Sequence, residues 1–166
     1  MPAFLAFVAL LMLGYLAFRA WQRAQDRPGV RAPRATEQLT DPREAGAILL
    51  VQQAVYEGHV TPEHKQVILA LMAANFGADE TEAEGLYSFG RMAVGQTGDA
   101  ANSLRRLLTP VRERCTLAEM KDLAAMLVQV GETGGAMNEA QARLVSEVRR
   151  ALSLPPEPGP AERESG

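Results

Sequence analysis

The sequence predicts an all-α protein: one N-terminal transmembrane helix, then a bundle of about six helices. Three observations carry this. No stretch alternates apolar and polar residues over the length of a strand. Apolar residues recur instead at three- and four-residue spacing, between residues that start and stop helices. Finally, Met1 to Phe18 contain no charge, while Arg19, Arg23, Arg27, Arg31 and Arg34 follow, opposed only by Asp26.

The uncharged run makes a helix of about 27 Å, close to the hydrocarbon thickness of about 30 Å. Trp21 lies one turn further on, at the depth of an interfacial aromatic. A cleaved signal peptide is the competing reading. It needs basic residues before the apolar run and a small-residue cleavage site after it. No basic residue precedes Phe4, and Ala17-Phe18-Arg19-Ala20 is a poor cleavage site. Residues 1–21 are therefore expected to stay as an anchor in the lipid bilayer. Arginines on its C-terminal side keep that side in the cytoplasm and leave the N-terminus outside, as in a bacterial inner membrane. Gly14 has Leu10 and Phe18 four residues away, so no GxxxG dimer seam is present.

Residues 22–40 hold Pro28, Gly29 and Pro33 among charges and show no apolar period, which reads as a linker. About 18 flexible residues reach an r.m.s. distance of ~25 Å. Asp41-Pro42 then starts the first helix, with Ala47, Ile48, Val51, Ala54 and Val55 on one face. Glu57-Gly58-His59 ends it, and Thr61-Pro62 starts the second. There Val67, Ile68, Leu71, Met72 and Phe76 face inward, and Gly77 stops the helix. The run from Asp79 to Glu84 opens the third, with a capping box expected between Thr81 and Glu84. Leu86, Phe89, Met92 and Ala93 are its expected inner face, before a break at Gly95 to Gly98.

Asp99 caps a short fourth helix with Leu104, Leu107 and Leu108, which Pro110 ends or kinks. Thr116 and Glu119 form a capping box for the fifth, whose inner residues are Leu117, Met120, Leu123, Ala124, Leu127 and Val128. After the glycine-rich turn from Gly131 to Gly135, Asn138 and Gln141 cap the last helix, with Ala142, Val145, Val148 and Leu152 inward. Residues 41–154 thus form one helical domain, and 155–166 a Pro- and Glu-rich tail expected to be disordered.

Charge narrows the function. After residue 35, twelve basic residues face nineteen acidic ones, a net charge of −7. An acidic domain is a poor ligand for nucleic acid. The single cysteine, Cys115, excludes a disulfide framework and a Cys-rich zinc site. It precedes a helix cap without a neighbouring histidine, so it reads as a half-buried structural thiol rather than a nucleophile. His59 in a turn and His64 at a helix start do not make a zinc site on their own, and His64 reads as a surface residue. Tyr56, Tyr87 and Phe89 are explained by core packing, and Arg105, Arg106, Arg112 and Arg114 by a solvated face. No phosphate loop, catalytic triad or paired carboxylate is apparent, so no catalytic residue and no enzyme activity are expected.

Two turns echo each other. Glu57-Gly58-His59-Val60-Thr61 joins the first two helices, and Gly134-Gly135-Ala136-Met137-Asn138 joins the last two. Each runs from a helix through Gly, an apolar residue and an N-cap into a new helix. This arrangement resembles the TerB-like tellurite-resistance fold over Asp41 to Leu154. The order of anchor, linker and domain is also similar to co-chaperones of the DjlA type. Their J domain is not seen, since the chain has no His-Pro-Asp tripeptide.

The resemblance implies a turn Asp and a helix-opening Glu in each hairpin. Those positions hold Glu57 and His64 in the first, and Gly134 and Gln141 in the second. It also implies an acidic surface for divalent ions, for which Glu57, Glu63 and Glu132 are the remaining candidate metal ligands. Six to eight oxygens around a hard cation are more than these turns offer. The expected function is thus a membrane-anchored, cytoplasm-facing interaction domain serving a stress response. It has no cofactor, its protein partner is unidentified, and a homo-oligomer is left open. The alternative is a divalent-cation sensor built on those acidic turns.

Overall fold

The computed structural model describes residues 39–94 and 100–155. The apolar span, most of the linker, the Gly95–Gly98 break with the Asp99 cap, and the tail beyond Pro155 lie outside them. Among the described residues no helix is long and apolar enough to cross a membrane. They form seven helices and no strand: α1 Pro42–Val55, α2 Pro62–Phe76, α3 Glu80–Val94, α4 Ala100–Leu107, α5 Thr109–Arg114, α6 Leu117–Gly131 and α7 Glu139–Ala151.

The expected fourth helix is two helices, because α4 stops at Leu108 and α5 restarts at Thr109. Pro110 has no N–H to give to the preceding turn, so the helical ladder cannot run through it. The Thr109 hydroxyl donates to the Arg105 carbonyl, at 3.2 Å.

Helix α1 is the centre of the bundle. The sequence suggested one apolar face, yet every residue from Ala45 to Val51 is buried. A helix that is apolar on all sides has to be surrounded. Its neighbours are α2, α3, α5 and α6, with α3 the most extensive. Gly90 of α3 makes that close approach workable, since a Cβ there would stand 2.8 Å from the Ala47 carbonyl oxygen.

The caps fall largely where the sequence put them. Asp41 accepts the Arg43 N–H at 2.8 Å, and Thr61 accepts the His64 N–H at 3.2 Å. Full capping boxes form at Thr116–Glu119 and Asn138–Gln141. The box on α3 is displaced from the expected pair. Asp79 Oδ1 accepts the Glu82 N–H at 2.8 Å, and Glu82 Oε2 accepts the Asp79 N–H at 3.3 Å. Asp79 directly precedes the first helical residue, Glu80, whereas Thr81 is already inside the helix.

Three inner-face assignments also shift. Met92 and Leu117 are exposed, at 52% and 58%. Ala142 is exposed as well, and Leu144 takes its place inside. On α3 the buried row is Ala83, Tyr87, Gly90 and Ala93, which sets Tyr87 deeper than Phe89. Tyr87 also carries the Lys65 ammonium 5.3 Å over its ring, and Lys65 pairs with Glu84 at 2.8 Å. This ties α2 to α3.

A polar seam where the two hairpin turns meet

The C-terminal end of α1 leaves backbone carbonyls without helical partners, as every helix does. Here α7 supplies the missing donors. Gln141 Nε2 donates to the Gln53 carbonyl at 3.2 Å, and Asn138 Nδ2 donates to the Tyr56 carbonyl at 2.9 Å. In return Gln53 Nε2 donates to the Gln141 carbonyl at 3.4 Å. Gln53 and Gln141 are both buried, at 0% and 2% exposure. Gln141 also accepts the Asn138 N–H through Oε1 at 2.9 Å, so both ends of its amide are used.

Gly131 lets this seam close. A Cβ on it would lie 2.4 Å from Gln53 Nε2 and 2.7 Å from Met137 Sδ. The echo between the turns is visible in the backbone too. Gly58 has φ 122° and Gly135 has φ 151° at matching positions. Val60 and Met137, the apolar residues before the caps, both pack against the core.

His64 corrects the surface assignment, because it is 1% exposed. It begins the row His64, Ile68 and Met72, which forms the buried face of α2. Nδ1 lies 2.7 Å from Thr61 Oγ1. Nε2 lies 2.9 Å from Glu57 Oε2, off the line of a hydrogen bond. Glu57 in turn reaches the second turn, with Oε1 3.6 Å from the place of a Cβ on Gly134.

The family profile described as tellurite resistance protein TerB matches residues 43–159. The chain belongs to the TerB family. No curated protein and no solved structure matches it. In this TerB domain the two positions where the resemblance places a helix-opening Glu hold His64 and Gln141, and both are buried.

The acidic candidates are placed differently. All three are exposed, and of them Glu57 sits beside His64. Among the described residues no three His, Cys, Asp or Glu side chains come together as a group able to hold a metal ion. The donors present do not fit a hard cation, since the one carboxylate at the seam already faces an imidazole.

Cys115 is half-buried and unpaired in any disulfide. Burial pushes its thiol up, and the Glu119 and Asp41 carboxylates push it further. That is the reverse of what activates a thiolate. Sequence reasoning missed Gln53, a polar residue inside an apolar row. The visible signal was its place one turn before the Glu57-Gly58 break, where carbonyls need partners.

Proposed function

We propose that this TerB domain is a non-enzymatic docking module, held at the cytoplasmic face of a membrane by residues 1–21, in a stress response of the tellurite-resistance kind. The observation that carries the reading is the family match across residues 43–159, downstream of an uncharged run and five arginines. The raised Cys115 thiol favours binding over nucleophilic chemistry. The net charge of −7 after residue 35 favours a basic protein partner.

The test is made in cells. The full chain should sediment with membranes, resist alkaline extraction, and be shielded from protease added outside. Deleting residues 41–154 should raise tellurite sensitivity. Digestion of the domain from the outer side, or unchanged tellurite sensitivity on its deletion, would end the proposal.

A further inference from the structure

A second feature lies away from the seam. Between the start of α1, the end of α2, α5 and α6 there is a cavity of about 160 Å³. Phe76, Val111, Leu123 and Met126 give it apolar walls, and the Cys115 thiol opens onto it. Phe76 is set there by Gly46, where a Cβ would lie 2.6 Å from the ring. The rim carries Arg43, Glu119 and Asp122.

We propose that this cavity is a docking pocket for a partner peptide in which an aromatic or branched aliphatic side chain stands next to an arginine or lysine. This rests on the interaction-module reading and names the chemistry of the partner. Size sets the first half. An apolar cavity of about 150 Å³ takes a benzene ring, so this one takes a single large side chain. One anchor side chain in one pocket is the usual centre of a peptide interface.

Charge sets the second half. Arg43 is already committed to Asp41, at 3.1 Å. Glu119 uses Oε2 for the Thr116 N–H and hydroxyl, which leaves Oε1 for another donor. Asp122 is exposed and makes no hydrogen bond or ion pair among the described residues. The rim therefore offers two carboxylates beyond its own paired cation.

The test uses the full chain in detergent micelles with isotope-labelled methionine methyls. The probes are acetyl-Phe-Arg-amide and acetyl-Phe-Glu-amide, the second controlling for partition into the micelle. The Phe-Arg probe should shift the Met126 signal saturably, and the Phe-Glu probe should bind distinctly less well. Asp122→Asn should weaken the Phe-Arg probe by about two- to fivefold, the size of a partly exposed charge pair. Cys115→Met, which fills the cavity, should abolish the Met126 shift. Equal binding of the two probes, or no Met126 shift at millimolar probe, would overturn the proposal. Either failure would leave membrane placement standing, because fractionation reads that separately.

Discussion

Gln53 and Gln141, 88 positions apart, each donate a side-chain amide hydrogen to the other's backbone carbonyl. The pair welds the end of the first helix to the start of the last. It also explains a departure from the family pattern. A Glu at position 141 could still accept the Asn138 N–H, but its second oxygen would face the Gln53 carbonyl oxygen. Gln141→Glu should therefore destabilise the domain by about 1–3 kcal/mol at neutral pH, the cost of a buried acceptor without a donor. A buried carboxyl resists ionisation, and once protonated it can donate. Part of the loss should return as pH falls, which denaturant titrations at two pH values would read.

Two glycines test how tightly α1 is enclosed. Gly131→Ala puts a methyl group against the Gln53 amide and Met137. Gly90→Ala puts one against the Ala47 backbone, which cannot swing away as a side chain can. Each gains helix propensity of about 1 kcal/mol and meets an overpacking cost of about 1–3 kcal/mol. Both should lower Tm, Gly90→Ala the more, whereas Gly85→Ala, with nothing within 4 Å, should raise it.

Much of the bundle was legible because caps and periodicity are local. Asp41, Thr61, Thr116 and Asn138 announce helix starts within four residues. What was not legible depends on distant partners. Whether Leu117 or Ala142 is covered depends on which helix lies opposite, and among the described residues none covers them. His64 was misread because a histidine in a first helical turn suggests solvent. The row it shares with Ile68 and Met72 points inward. The seam itself joins residues over 80 positions apart, and the echo of the two turns and the place of Gln53 before the Glu57-Gly58 break were its local hints.

Calcium should leave the melting temperature unchanged. A site at which free ion exceeds Kd a hundredfold would stabilise the fold by about 2.7 kcal/mol. Among the described residues no acidic group is assembled to provide one, and Glu57 faces His64 instead. Thermal melts with and without millimolar Ca²⁺ check this. A rise of several degrees, lost in Glu57→Gln, would restore the cation-sensor reading.

Acid should weaken the domain through two carboxylates near helix starts. For Asp41, burial alone would raise the carboxyl, but hydrogen bonds and charge from Arg43, with Arg114 nearby, hold it below its ordinary value. For Glu119 the Thr116 backbone N–H and hydroxyl do the same. A carboxyl lowered by folding adds stability above its unfolded pKa, and that stability is lost as pH falls through the folded value. The loss should therefore begin near pH 4 and deepen below it. Glu44 works in the opposite direction, since burial and Asp41 raise its carboxyl, so its cost is relieved earlier in the descent, before pH reaches its unfolded value. Asp41→Asn and Glu119→Gln keep an oxygen for each cap and remove the titrating charge. The double variant should be less stable than the parent at pH 7 and should lose less between pH 7 and pH 3. Thermal melts at the two pH values measure both differences, and equal losses in parent and variant would place the acid sensitivity elsewhere in the fold.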